Sequence, residues 1–219
     1  MSDCSLERHI DRIQRERTAL LSRIEGLSQL QLDYQPSRQS WSIGQIVHHV
    51  GLAEKLWRGH LSRAIRKAGP KREATVHVSL DDVPFRSRVL PDFLWRNPLV
   101  LPPLSLMVKL IPRPIQAMMF AIPLIKMDAA PQMQPKRGLS RNQILQFLEE
   151  TRRTTLDLLR PICDWNLTRI RVVHPLVGDQ DVCGILELLA SHEQRHAQQI
   201  DLIKKRASYP RGGSGQSAV

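Results

Sequence analysis

The chain has 219 residues, 42% of them hydrophobic, and a formal net charge of +11; this is ample for one core and excludes a chain disordered by composition. Aromatics make up only 5%, which favours aliphatic helix packing over a sandwich or barrel of aromatic strands. The basic residues are scattered through every segment, no nucleic-acid motif is present and few rings are available for base stacking, so the charge describes a solvated basic surface with no specific nucleic-acid partner.

In chain order, Leu6, Ile10, Ile13, Leu20, Ile24 and Leu27 form a one-sided apolar stripe that predicts a helix from Leu6 to Leu27. A polar link follows from Ser28 to Gln39. Ser42 and Gln45 read as a capping box, with Trp41 placed to staple onto Ile46. This second helix runs through Trp57 to about Ala68, where Gly69-Pro70 stops it. From residue 70 to residue 135 prolines break the pattern, and a short interrupted helix is expected between Ser105 and Met127. The apolar runs within residues 99–127 are too short for a membrane crossing, leaving a lid, a partner surface or peripheral membrane contact as their roles.

Ser140 and Gln143 make a second capping box, opening a helix that Pro161 ends or kinks. A loop is expected from Cys163 to Asp181, with Ile170 to Val173 as a short extended piece. Asp181 then caps a last helix from Val182 to about Arg206. The pattern is all-α: a four-helix bundle in one domain (1–206), with a long proline-rich apolar insertion between helices two and three and a disordered tail (207–219). Three scattered cysteines give no disulfide framework, and the charged N-terminal stretch shows no signal peptide, so a reducing, cytoplasmic setting is expected.

The chemistry concentrates in the last helix. His192 and His196 stand four residues apart, one turn apart on one face, where they can share a metal ion. At about 100° per residue that face is the apolar stripe of Ile185, Leu189 and Ile203, with Leu188, Gln199 and Ile200 at its edges. Buried imidazoles need partners, and a metal is one. For a third ligand, His49 lies at the edge of the Ile46, Val50, Ala53 and Trp57 stripe, whereas His48 points nearly opposite and reads as a surface residue. The run also matches HExxH, with Glu193 as a peptidase base, but no third ligand follows except Asp201 and no substrate-binding strand is found. The alternative to a metal site is a set of core histidines bonded to side chains such as Gln199.

Two segments resemble the DinB-like superfamily of metal-binding four-helix bundles: WSIGQIVHHV at 41–50 and HEQRHAQQI at 192–200, with HPLVG at 174–178 as a looser likeness. The resemblance implies an up-down-down-up bundle, a zinc or nickel ion held by His49, His192 and His196, and a homodimer. It also implies a thiol-dependent transferase or related enzyme, in which the metal activates a low-molecular-weight thiol for attack on an electrophile. The alternatives are a non-enzymatic metal- or ligand-binding bundle and a metal-dependent hydrolase. Gln199 and Glu193 are candidates to support the ligands from behind.

Overall fold

The computed structural model describes residues 6–78, 131–174 and 177–211. Among them are five α-helices, named here α1 (Leu6–Ser22), α2 (Gln29–Asp33), α3 (Ile43–Ala68), α4 (Arg141–Leu159) and α5 (Val182–Lys204). Three short strands join them: β1 (Ala74–His77), β2 (Ile170–His174) and β3 (Gly178–Asp181). The helix expected between Ser105 and Met127, and the whole of 99–127, lie outside the described residues. No described helix is long and apolar enough to cross a membrane.

Local chemistry sets the helix boundaries. Ser42 and Ser140 each accept the backbone N–H three residues on, while the Gln at that position bonds back, completing both expected capping boxes. Asp181 caps α5 by accepting from the Gly184 N–H at 2.7 Å. Gly69, at φ 47°, ends α3 with its N–H on the Ile65 carbonyl. The first helix is shorter than its apolar stripe. After Ser22 the bonds tighten to the i−3 pattern, as in Ile24 N–H to Leu21 O at 3.0 Å, and Gly26 turns the chain at φ 71°. The link beyond it is not wholly irregular: Ser28 and Gln31 form a third capping box that opens the five-residue α2.

A small sheet corrects the all-α expectation and takes in the extended piece at Ile170 to Val173. β1 runs parallel to β2, with Ala74 opposite Ile170, and β2 runs antiparallel to β3, with His174 opposite Gly178. A fork from Arg171 onto Asp179, at 2.6–3.0 Å, braces the β2–β3 ladder. β3 leads directly into α5, so the sheet sets where the histidine-bearing helix begins.

The helices pack α1 on α5, α3 on α4 and α3 on α5, around two apolar clusters. One holds Ile13, Trp57, Leu61, Leu159, Leu186 and Ala190 beside the sheet. The other holds Leu20, Val50, Ile144, Leu148, Ala197 and Ile200. Close approach of α3 to α4 depends on Gly51, where an added Cβ would stand 2.6 Å from Phe147 Cε1 and 2.9 Å from Leu148 Cδ2. Beyond α5 the chain stays packed, with buried Tyr209 edge-on to Tyr34 at 5.4 Å.

The thiols also depart from expectation. Cys163 is free and exposed, but Cys183 in the first turn of α5 is disulfide-bonded.

Candidate metal centre

His49 from α3 meets His192 and His196 from α5, and one ring nitrogen from each lies within 4.8 Å of the others. The His192 and His196 Nε2 atoms are 3.1 Å apart. The His49 ring centroid is 5.1 Å from each of theirs. His49 and His196 are buried and His192 is half-buried.

Neighbours set the tautomers. The His49 Nδ1–H donates to the Met133 carbonyl at 2.9 Å. The His196 Nδ1–H donates to Gln199 Oε1 at 2.8 Å. Both acceptors are oxygens, so the Nε2 lone pairs of these two rings remain available toward the cluster. Trp41 lies against His49 with centroids 4.6 Å apart, closing that side. Burial lowers the His49 pKa to about 4, the Met133 hydrogen bond offsetting only part of that. Burial, with His49 nearby, lowers His196 to about 3, and burial with His196 and His49 takes His192 well below its ordinary value. Three neutral imidazoles with converging lone pairs make the donor set of a divalent transition metal. The 3.1 Å between two of the nitrogens is close to the ~3.3 Å separating ligands about 2.05 Å from one tetrahedral ion.

His48 is not a surface residue. It is buried, its Nδ1 accepts from the Lys136 backbone N–H at 3.0 Å, and its ring lies 5.0 Å from that of Phe147. A helical wheel gives the direction of a side chain but not what another segment lays over it. Residues 133–136 lie across both α3 histidines, Met133 on His49 and Lys136 on His48.

Glu193 does not face the histidines as a free base. It belongs to a buried quartet with Arg17, Glu54 and Arg152, one residue from each of α5, α1, α3 and α4. Arg17 Nη2 donates to Glu54 at 2.7 Å and to Glu193 at 2.8 Å, and Arg152 donates to Glu54 at 2.9 Å and to Glu193 at 2.6 Å. All four residues are at most 5% exposed. Burial works to raise the Glu54 pKa, yet the two guanidiniums together bring it below its ordinary value. For Glu193 burial prevails and the shift is upward. With both oxygens engaged by arginines, Glu193 is in no position to activate water, and the peptidase reading of HExxH loses its base.

Sequence reasoning missed this quartet, although it left a trace. Arg17 stands in the seven-residue gap of the α1 stripe between Ile13 and Leu20. Glu54 likewise falls between Val50 and Trp57, Arg152 between Leu148 and Leu159, and Glu193 between Ala190 and Ala197, each pair divided between the two apolar clusters.

Among the remaining histidines, His9 bonds Glu187 at 2.9 Å, His77 is exposed at the end of β1, and His60 and His174 pack around Trp57. In comparisons with known proteins, the family model of the DinB superfamily matches residues 12–200, from α1 through α5. No curated protein and no solved structure matches the chain.

Proposed function

The chain belongs to the DinB superfamily, and from that membership and its histidine geometry we propose that it binds a divalent metal, zinc or nickel, through His49, His192 and His196 and acts as a thiol S-transferase. The observation that carries the reading is the convergence of three ring nitrogens within 4.8 Å. A divalent cation held by three neutral ligands would keep its full charge and hold a small thiol as the thiolate near neutral pH.

The protein's own groups prepare the site. The Met133 carbonyl and Gln199 Oε1 fix the ring orientation and tautomer of His49 and His196. Trp41 keeps the far side of His49 apolar, which strengthens electrostatic interactions inside the site. A bundle in which α3 and α5 face each other is the architecture that supports such a site in the core.

The test is metal content by elemental analysis of the wild type beside His49→Ala and His192→Ala, with urea unfolding before and after metal is offered. The expected result is one zinc or nickel per wild-type chain and none in either variant. Free metal at a hundred times its dissociation constant should stabilise the wild type by about 2.7 kcal/mol and leave both variants unchanged. Metal-loaded wild type should then consume a thiol and an electrophile together. Turnover without a thiol would identify a hydrolase, and a wild type that takes up no metal would reduce the three histidines to core residues.

A further inference from the structure

Trp41 covers His49 from outside the helices. It is half-buried, with its ring on that of His49, and it precedes the Ser42 cap of α3. Two glutamines bracket it. Gln35 Nε2 donates to the Ser40 carbonyl at 2.9 Å and to Gln45 Oε1 at 3.1 Å, and the same Oε1 receives the Ser42 N–H at 3.1 Å. The residues before and after Trp41 are thus both tied to the Gln35 amide.

The stretch from Ser28 to Trp41 is fastened to the rest of the molecule by side chains. Among the described residues its backbone bonds are local, as in Leu32 N–H to Ser28 O and Ser40 N–H to Ser37 O, both at 3.0 Å. Fully buried Leu32 anchors α2. Gln29 Nε2 donates to the Leu139 carbonyl at 3.2 Å, Gln31 Nε2 donates to the Pro210 carbonyl at 3.0 Å, and the Tyr34 and Ser208 hydroxyls share a hydrogen bond at 2.5 Å. Two of these three fastenings land on residues 208–210, where buried Tyr209 meets Tyr34 edge-on. The Tyr209 hydroxyl is buried with no hydrogen-bond partner among the described residues, so the packing of its ring holds this turn in place. A segment with few backbone bonds to its surroundings opens locally, well before the whole chain unfolds.

We propose that Tyr209 is a positioning residue of the metal centre: through Tyr34 and Gln35 it holds Trp41 against His49, and residues 28–41 are the gate by which metal enters and leaves. The inference rests on the metal-binding reading above. Tyr34 and Gln35 are adjacent in the chain, so the ring that meets Tyr209 and the amide that brackets Trp41 move together. Loss of the Tyr209 ring frees α2 on its C-terminal side, and Trp41 then leaves His49 more often.

The experiment uses the full chain with zinc as the probe. Release is timed after mixing loaded protein with excess chromogenic chelator, and loading is timed after mixing metal-free protein with zinc. Tyr209→Ala should release zinc about tenfold or more faster than wild type, the scale expected when a buried ring that closes a local segment is lost. It should also load faster, because a gate acts in both directions. Tyr209→Phe keeps the ring and should keep wild-type rates. Gln35→Ala leaves the Tyr209 packing intact and should speed both steps. Leu167→Ala, a truncation in the apolar cluster beside the sheet, should lower stability and leave both rates unchanged. Hydrogen exchange of metal-free Tyr209→Ala should quicken over residues 28–41 while α4 and α5 stay protected. Wild-type rates in zinc-loaded Tyr209→Ala or Gln35→Ala, or faster release without faster loading, overturn the gate and leave the metal site standing. Failure of wild type to take up zinc removes the metal site and this inference together.

Discussion

One residue separates two opposite solutions to burying polar groups in this protein. His192 joins a cluster kept neutral by desolvation, its lone pairs gathered in one place. Glu193 joins a cluster of two arginines and two carboxylates in which each charge is met by the opposite sign. The quartet is satisfied by the protein alone and leaves nothing over for a ligand. In the triad the protein holds the outer nitrogens of His49 and His196, through Met133 and Gln199, while the inner nitrogens of His192 and His196 face each other at 3.1 Å. That difference marks the quartet as a joint between helices and the triad as a place for chemistry.

The largest way to break the contrast is to unbalance the quartet. Glu54→Ala leaves two buried guanidiniums sharing one carboxylate and should cost about 3–5 kcal/mol in urea unfolding; a loss below 1 kcal/mol would mean that water reaches the cluster. The two clusters should also differ in pH dependence. In the metal-free protein His49 sits at about 4 and His196 at about 3, below the ordinary imidazole value of about 6.5. The unfolded chain then takes up protons that the folded chain refuses. Stability should be full above about pH 6.5 and fall with pH down toward 4, by up to about 1.4 kcal/mol per unit for each histidine. Glu54, depressed in the fold, withdraws its contribution only below the ordinary carboxylate range, so the two losses should separate in a pH series of urea titrations. A flat profile between pH 7 and 5 would contradict neutral, buried imidazoles.

Smaller changes sharpen the picture. Gln199→Ala removes the acceptor on His196 Nδ1 and should weaken metal binding about 10- to 100-fold, measured by chelator competition, with little effect on metal-free stability. Ser42→Ala removes a cap remote from the quartet and should cost about 1 kcal/mol without altering either pH window.

What the sequence revealed followed the range of the interactions. Helix boundaries were readable because Ser42 with Gln45, Ser140 with Gln143, Asp181, and Gly69-Pro70 act within a few residues of themselves. The convergence of His49 with His192 and His196 could be anticipated because all three are on or beside apolar stripes. Ile170 to Val173 was readable as an extended piece, but its pairing was not: residues 74–77 and 170–173 meet only in the fold, from distant parts of the chain. His48 was misjudged because its cover, Lys136 and Phe147, comes from far along the chain. The quartet was overlooked because a charge within an apolar stripe is indistinguishable from a solvated one until its three partners are known.

The sources of the quartet bear on how the molecule is put together. Arg17 and Glu54 come from the part of the chain before residue 79, Arg152 and Glu193 from the part after residue 130, and each pair is already bridged within its own part, at 2.7 and 2.6 Å. Two charge-balanced halves thus meet face to face and exchange partners across the seam, at 2.8 and 2.9 Å. The histidines divide along the same seam, one from the first half and two from the second. A chain severed between the halves would have the means to reassemble, and recovery of metal binding on mixing the fragments would report that reassembly, since neither fragment carries the whole site.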